Sequence, residues 1–168
     1  DRIEQVALQH RATGQSRLQA QYRYSEDGDL ISQRNAKNAG EDYAYNHHLI
    51  VKRTLKTGFA FYFEWDGTDH TARCIHNWGD RGIYEYYFDY DSPNNTSRAT
   101  DSRGYQRHYT YNSYGQIVKE IDNEGAEHHT LYDAGRKVRT RDPLGHATEY
   151  FYDSENNPTG LRDPLGQR

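Results

Sequence analysis

The sequence predicts an all-β fold, an antiparallel strip of consecutive β-hairpins built from repeats of 20–21 residues. Three observations support this prediction. An aromatic residue followed by Asp, Asn or Ser recurs along the chain, and an Asp-x-x-Gly motif recurs half a repeat out of phase with it. Short segments with the alternation typical of β-strands lie between the two markers.

The first marker is the aromatic residue with its polar successor, at steps of 21, 20, 25, 21, 21 and 20 residues. Its seven copies are Tyr24-Ser25, Tyr45-Asn46, Trp65-Asp66, Tyr90-Asp91, Tyr111-Asn112, Tyr132-Asp133 and Tyr152-Asp153. Because Asp, Asn and Ser favour turns, we expect each aromatic to end a strand. Gly28, Gly115 and Gly135 follow as turn formers, and Asn156 replaces the glycine in the last copy, since Asn tolerates left-handed φ. The step of 25 residues predicts an insertion around residues 79–83.

The second marker is Asp-x-x-Gly, at steps of 21, 20 and 21 residues. Its four copies are Asp101 to Gly104, Asp122 to Gly125, Asp142 to Gly145 and Asp163 to Gly166. In each copy we expect the Asp carboxylate to accept backbone N–H groups at the first position of a β-turn, and the Gly to take the fourth position. Pro143 and Pro164 would set φ at the second position. Gly40 and Gly58 are predicted to mark degenerate versions of this turn in the N-terminal half.

The segments of about six residues between the turns read as strands. In residues 146–152, Tyr150 and Tyr152 fall on one face and Phe151 on the other, and residues 136–141 and 105–111 show a similar alternation. Residues 2–9 fit a short helix or a strand equally well. No segment predicts a long helix.

The composition excludes a deep aliphatic core. Leu, Ile, Val and Phe make up 25 of the 168 residues, and the mean hydropathy is −1.21. The net charge of −4 is too small to favour disorder, and 16 Tyr and 2 Trp supply large rings with a polar tip. We therefore expect tyrosines that pack on one another across neighbouring strands.

Two expectations concern the organisation of the chain. Residues 1–21 are predicted to be a degenerate repeat or a lead-in segment, and residues 22–168 the repeat array. The sequence contains no Met, which indicates an internal piece of a longer polypeptide.

Several classes of function lack their sequence signals. The charges are mixed, with no basic run, so nucleic-acid binding is not expected. No apolar run approaches 18 residues, so no membrane span is predicted, and the single Cys74 excludes an intrachain disulfide. The motifs Gly-x-Ser-x-Gly, Walker A and His-Glu-x-x-His are absent, so no catalytic residue is predicted.

The histidines and acidic turns do not predict a metal or any other cofactor. His47-His48 and His128-His129 are adjacent pairs, which on a strand would point to opposite faces and chelate poorly. Cys74 and His76 share one face with His70 nearby, but structural zinc needs four ligands at closer spacing. The oxygen-rich segment 153–157 lacks the distal bidentate Glu of an EF-hand loop.

The combined unit resembles the YD or Rhs repeats. The pattern aromatic-x-Tyr-Asp-x-x-Gly, followed by Asp-Pro-x-Gly, is clearest from Tyr111 to Gly166 and extends back, less regularly, to about Tyr22. Repeats of this kind build bacterial Rhs effectors, the C component of Tc insecticidal toxins and, as a more distant resemblance, the extracellular barrel of teneurins. The resemblance implies a wide strip wound as part of a β-cocoon shell.

The resemblance also implies a function. In the bacterial relatives the shell holds a C-terminal toxin domain until delivery, often through the type VI secretion spike. This chain would then be a structural segment of a hollow β-shell in a secreted toxin of the Rhs or polymorphic class, used in bacterial competition. The implied partners are neighbouring repeats of the same polypeptide, the encapsulated toxin domain, and a type VI spike protein or a chaperone.

Two other functions have some support in the sequence. One is a cell-surface YD-repeat module that binds carbohydrate or a partner protein through its tyrosines. The other is an autoprotease, because Asp142-Pro143, Asn157-Pro158 and Asp163-Pro164 imitate the order of the family's paired Asp-Pro-x-Gly motifs around an Asn-Pro. Gln167 stands where the family has Leu, and both Asp residues have turn-capping roles. We therefore predict no enzymatic activity in this segment.

Overall fold

The computed structural model describes residues 2–168, which divide into two compact units, one up to Tyr87 and the other from Phe88 onward. Every regular element in this range is a β-strand, apart from one 3-10 turn at Asp80–Gly82. The all-β prediction is therefore confirmed. No helix of the described range is long and apolar enough to cross a membrane.

The first unit contains seven strands and the start of an eighth. These are β1 (Gln5–Gln9), β2 (Ser16–Tyr24), β3 (Leu30–Asn35), β4 (Gly40–Asn46), β5 (Leu49–Thr54), β6 (Ala60–Trp65), β7 (Cys74–Gly79) and β8 (Tyr86–Asp91). Within this unit the strand order follows the chain order, and every neighbouring pair is antiparallel.

The second unit contains the end of β8 and seven further strands. These are β9 (Thr96–Asp101), β10 (Gln106–Tyr111), β11 (Ile117–Ile121), β12 (Glu127–Asp133), β13 (Arg136–Arg141), β14 (Ala147–Tyr152) and β15 (Pro158–Arg162). Here too the order follows the chain, and the six pairs from β9 to β15 are antiparallel. Each unit is thus a strip of consecutive hairpins.

Two kinds of turn alternate along each strip. We call the turns that follow the aromatic marker signature turns, and the turns between them alternate turns, which include the Asp-x-x-Gly copies. Because consecutive antiparallel strands reverse direction, all signature turns of a unit lie along one edge of its sheet. We call this the signature edge.

Pairing is longer across the signature turns than across most alternate turns. Strands β12 and β13 form five residue pairs across a signature turn, from His129↔Arg141 to Asp133↔Arg136. Only three pairs form across the alternate turns of β3–β4, β5–β6, β11–β12 and β13–β14, whereas β9–β10 keeps five. In those four places the two strands are paired near the alternate turn and separate as they approach the signature edge. Each strip therefore fans out at the signature edge, where its strands lie further apart.

Neither unit has a deep core. In the described range only four residues are buried: Gly79, and Ala60, Ser32 and Ser97 at 3%, 6% and 9% exposure. Most strand residues are half-buried, as expected for a sheet whose two faces are open. The low aliphatic content of the sequence is therefore matched by a fold that encloses almost no side chain completely.

Four local expectations can be compared with the structure. Residues 2–9 contain strand β1, not a helix. Gly58 has a left-handed φ of 84° and its N–H is bonded to the Leu55 carbonyl, which fits a degenerate alternate turn. The prediction for Gly40 is wrong, because Asn38 takes the left-handed position, with φ of 59°, and Gly40 begins β4.

The fourth expectation concerns the insertion. The loop between β6 and β7 has eight residues, 66–73, where the equivalent turn 112–116 has five. The connection between β7 and β8, residues 80–85, is only one residue longer than turn 122–126. Most of the extra length therefore lies at residues 66–73, and the predicted position near residues 79–83 accounts for a single residue.

Candidate functional site

The alternate turns of the second unit share one geometry. In the turn after β13 the Gly145 N–H donates to the Asp142 carbonyl at 3.0 Å, and Asp142 Oδ1 accepts the N–H groups of Leu144 at 3.0 Å and His146 at 2.8 Å. The carboxylate thus holds the two N–H groups that a short turn leaves without a backbone partner. The same bonds recur in the turns that begin at Asp101, Asp122 and Asp163.

Three of the seven signature turns use the same chemistry, with Ser25, Asn112 or Asp153 as the first residue. Asn112 Oδ1 accepts the N–H groups of Tyr114 and Gln116, both at 3.0 Å, and Asp153 Oδ1 accepts those of Glu155 and Asn157, both at 2.9 Å. In the first copy Ser25 Oγ accepts two N–H groups instead. Of the glycines named from the sequence, Gly40 has no positive φ and Gly58 was described above. The other seven have positive φ, between 74° and 99°: Gly28, Gly104, Gly115, Gly125, Gly135, Gly145 and Gly166.

Two signature turns are tighter, with only two central residues. Ala134 and Gly135 have φ of 46° and 81°, and His47 and His48 have φ of 50° and 65°. Positive φ at both central residues is typical of a type I′ hairpin, whose usual sequence is Asn-Gly. The two histidines therefore lie in a turn, which corrects the expectation that they point to opposite faces of a strand.

The signature aromatics lie at or next to the last residue of their strands: Tyr24, Tyr45, Trp65, Tyr90, Tyr111, Tyr132 and Tyr152. At six of them, all but Tyr90, the register of the hairpin shifts by one residue. Tyr111, for example, faces Ile117 while Thr110 faces Lys119, so Val118 has no opposite residue. Such a β-bulge bends the strand and increases its twist. Each hairpin is therefore bent at the same place, beside its signature aromatic.

The residue that each bulge leaves unopposed is β-branched in all six cases: Ile31, Val51, Ile75, Val118, Val138 and Thr159. β-branched side chains fit a pleated and half-buried surface. They form a third marker that the sequence analysis missed. Their distance from the aromatic varies with the length of the turn, so a search for one fixed spacing does not find them.

The polar tips of three signature aromatics reach the carbonyl groups of other strands or of the lead-in segment. Trp65 Nε1 donates to the Ile50 carbonyl at 2.8 Å, and the Tyr152 hydroxyl donates to the Lys137 carbonyl at 2.9 Å. Ile50 is paired with Tyr45, and Lys137 with Tyr132, so each faces the signature aromatic of the preceding repeat. Ile50 lies beyond the last residue pair of β5–β6, and Lys137 lies beyond the last residue pair of β13–β14. Tyr24 binds the Ile3 carbonyl at 3.0 Å. The aromatics thus close the gaps that open where the strands fan apart.

Neighbouring signature turns also contact each other directly. Gln116 Nε2 donates to the Gly135 carbonyl at 2.9 Å, and Arg136 Nη1 donates to Asn156 Oδ1 at 2.8 Å. In the first unit, His48 Nδ1 lies 2.9 Å from Asp29 Oδ1, and this hydrogen bond together with the charge of Asp29 raises the pKa of His48. The signature edge is therefore stabilised by contacts between repeats.

The capping carboxylates depend on pH. Donation from the Ala126 N–H lowers the pKa of Asp122, and donation from the Asn157 N–H lowers that of Asp153. At Asp101 and Asp142 burial opposes the shift, but hydrogen bonds from Arg103 and His146 still lower the pKa. A depressed pKa means that the unfolded chain binds the proton more tightly. The stabilisation is therefore complete above the unfolded pKa of about 4 and is lost as the pH falls through the folded values.

We expect replacement of these four residues by Asn to reduce the acid sensitivity of the protein. Asn112 makes the same two backbone bonds without ionising, so the Asn variant should keep its turns. Its urea midpoint at pH 7 should be lower, because the charge of the carboxylates and the ion pairs of Asp101 and Asp142 are lost. Four of the five carboxyls with lowered pKa in the second unit disappear, so the fall in midpoint between neutral pH and about pH 3 should shrink by roughly half. An unchanged fall would show that the caps do not control acid unfolding.

The residues considered for a metal have other partners. The His76 ring stacks between Trp78 and Tyr87, at 4.4 and 4.2 Å, and its nitrogens lie 3.3 Å from Glu64 and 3.1 Å from Glu85. The Cys74 thiol lies 3.4 Å from the His76 carbonyl, and burial raises its pKa. Within residues 2–168 no group of three or more His, Cys, Asp or Glu side chains is arranged to hold a metal ion.

The residues of the autoprotease hypothesis lie in separate turns. Asp142 and Asp163 each cap their own turn, and the second carboxylate oxygen of Asp142 also pairs with His146 at 2.8 Å. Pro158 is the first residue of β15, and Asn157 bonds to Asp153. Each of the two carboxylates thus serves its own turn cap.

Comparison with known proteins adds three findings. The sequence model of the family described as Teneurin YD-shell matches residues 1–163. The crystal structure of TcdB2-TccC3 without the hypervariable C-terminal region is similar, with a TM-score of 0.54 and 14% identity over 95% of this chain and 10% of that one. The Photorhabdus luminescens Tc holotoxin pore matches with a TM-score of 0.37 and 10% identity over 90% of this chain and 11% of that one.

No curated protein matches this chain. At 14% identity, the likeness to TcdB2-TccC3 shows a shared fold, and this chain spans one tenth of the length of that solved chain. The resemblance to YD or Rhs repeats found in the sequence is confirmed. Because the family model covers almost all 168 residues, this chain belongs to the Teneurin YD-shell family.

Proposed function

We propose that this chain is a structural segment in the wall of a hollow β-shell, and that the shell encloses the C-terminal toxin domain of a secreted bacterial Rhs or polymorphic toxin. The observation that carries the proposal is the almost complete lack of buried residues in a well-formed sheet. A strip of this kind cannot bury its own faces, so it gains stability by stacking against more of the same wall.

The bends of the hairpins support a curved wall. Six bulges of the same kind, all at the signature edge, add bend and twist at regular intervals along each strip. The strand pairing of each strip is also longer at one edge than at the other, and this difference adds bend and twist in the same way. We propose that the turn formers and signature aromatics serve this curvature and carry no catalytic role.

The partners follow from the open surfaces. The outer strands β1 and β15 each have one unpaired edge within the described residues, and neighbouring repeats of the same polypeptide would pair with them. The enclosed toxin domain would contact one face, and a type VI spike protein or a chaperone would act during delivery. We assign residues 1–21 to a degenerate first repeat, because β1 pairs with β2 and shows its own register shift.

The proposal is tested by electron microscopy of the polypeptide encoded by the complete gene. We expect a closed particle with weak internal density, and a C-terminal region that resists protease until the particle is opened. The matched control is the same polypeptide without residues 88–168, which removes one unit of the wall. A solid or extended particle, or equal protease resistance after the deletion, would contradict the proposal.

A second candidate is a cell-surface module that binds carbohydrate or a partner protein. It is favoured by aromatic side chains that are largely exposed, such as Tyr84 at 66% and Tyr114 at 85%. Exposed rings can stack on sugars or fill a partner's pocket. A glycan array probed with the purified chain distinguishes this candidate, since a shell segment should give no signal.

A further inference from the structure

The two faces of the second unit differ in their chemistry. One face presents mainly Tyr, Thr and Val, including Tyr109, Thr130 and Tyr150. The opposite face presents a group of basic side chains that we call the basic face: Lys119, His129, Arg139, Arg141 and Arg162. This assignment follows from the register, because residues directly opposite each other in an antiparallel pair share a face.

Three of these basic side chains stand in one row across the strands. Lys119 faces His129 on β11–β12, and His129 faces Arg141 on β12–β13. Neighbouring strands are about 5 Å apart, so the row brings basic side chains close together. Glu127 compensates this row in part, since its carboxylate lies 2.6 Å from Lys119 and 3.1 Å from His129.

Arg139 and Arg141 have no such compensation. Both side chains are exposed, and within the described residues neither guanidinium makes a hydrogen bond or an ion pair. Arg139 faces Glu149, but that carboxylate pairs with Arg162 at 3.0 Å. The basic face thus carries four Arg and Lys side chains against the two carboxylates of Glu127 and Glu149, although the whole chain has a net charge of −4.

We infer that the basic face docks an extended acidic segment of polypeptide. Arg139 and Arg141 are two residues apart on β13, so their side chains are about 7 Å apart, as are alternate side chains of an extended peptide. A peptide with a carboxylate at every second position can therefore meet both arginines, and Arg forms strong bidentate bonds with carboxylates. Leu131 faces Arg139, is 59% exposed, and offers apolar surface beside them.

This docking goes beyond the proposed function and does not depend on it. A shell wall needs no specific ligand, whereas the basic face is complementary to an acidic peptide. A negative docking test would not contradict the hollow particle, and a solid particle in the electron micrographs would not contradict the docking.

The test measures binding of a fluorescein-labelled peptide of alternating Glu and Ser, about ten residues long, to the 168-residue chain by fluorescence anisotropy. We expect this peptide to bind more tightly than one of alternating Lys and Ser. Raising the salt from about 0.1 M to about 1 M should weaken binding strongly, because the Debye length falls from about 10 Å to about 3 Å.

Substitutions then locate the surface. Arg139→Glu with Arg141→Glu should weaken binding of the acidic peptide by at least about tenfold. Arg139→Lys with Arg141→Lys keeps the charge but loses the bidentate bonds, so it should weaken binding by a smaller factor. The matched control compares two single variants, Arg141→Glu and Arg107→Glu, which change the net charge equally. Arg107 is exposed, lies on the other face and pairs with Glu120. Circular dichroism confirms that each variant is folded.

Three results would overturn the inference. The first is equal binding of the acidic and basic peptides. The second is equal loss in Arg107→Glu and Arg141→Glu, which would indicate an effect of net charge alone. The third is tight binding of a sulfated oligosaccharide, tested in parallel, together with no binding of the acidic peptide, which would assign the surface to a glycan.

Discussion

Replacement of Gly40 by Ala should destabilise the protein by about 3 kcal/mol, near the upper end for an overpacked site. Gly40 faces Arg34 in the β3–β4 pair. A Cβ atom at this position would overlap the Gln33 carbonyl oxygen and stand 2.9 Å from Arg34 Cα. These are backbone atoms of the paired strand, so the clash cannot be relieved by rotating a side chain.

The same clash would disturb an ion pair. Arg34 Nη1 donates to the carbonyls of Gln33 and Glu41, at 2.8 and 2.7 Å, and Arg34 Nη2 lies 2.6 and 2.7 Å from the two oxygens of Asp42. Displacing the Gln33 carbonyl moves one end of this network. We therefore expect Gly40→Ala to open the β3–β4 pair locally as well as to lower the urea midpoint.

Two other glycines provide matched controls for the measurement by urea denaturation. Gly160, in β15, has open space where the methyl group of an alanine would stand and has no positive φ, so Gly160→Ala should have little effect. Gly145 has the same open space but a φ of 88°, so Gly145→Ala should cost about 1 kcal/mol through backbone strain alone. Equal losses in Gly40→Ala and Gly160→Ala would rule out the steric explanation.

Local turn chemistry made much of the fold predictable from the sequence. Asp142-Pro143-Leu144-Gly145 contains all the groups that its turn needs, and the bonds formed by Asp142 and Gly145 link residues at most four positions apart. The assignment of Gly40 failed because Asn38 also tolerates left-handed φ, so the glycine was not needed in the turn. It is needed instead for the close approach of β3 and β4.

Features that depend on two strands were not predictable. A bulge exists only in the register between strands, so Val118 or Val138 alone gives no sign of it. The bond from Trp65 to Ile50 joins residues 15 positions apart and needs the fanned geometry between them. The predicted position of the insertion was wrong because the repeat period gives only the total number of residues between two markers. It does not identify the loop that holds the extra residues.

Trp65 provides the sharpest test of the proposal that the signature aromatics hold successive repeats together. Its ring lines a groove with Leu49, Val51, Phe63 and Ile75, and its Nε1 donates to the Ile50 carbonyl. Trp65→Ala removes both the ring contacts and the bond, and we expect a loss of about 3 kcal/mol in the free energy of unfolding. Trp65→Phe keeps a smaller ring in the groove and removes the bond, so most of its loss, about 1 kcal/mol, should come from the bond.

The control is Tyr114→Ala, which removes a ring that is 85% exposed and that lies inside a signature turn, not before it. This variant should be nearly neutral, since surface substitutions usually change stability by less than about 0.5 kcal/mol. If Trp65→Ala were equally neutral, the aromatic would be a repeat marker without a structural role. If Trp65→Phe cost as much as Trp65→Ala, the hydrogen bond across the fanned gap would carry the whole contribution, and ring packing in the groove would add nothing.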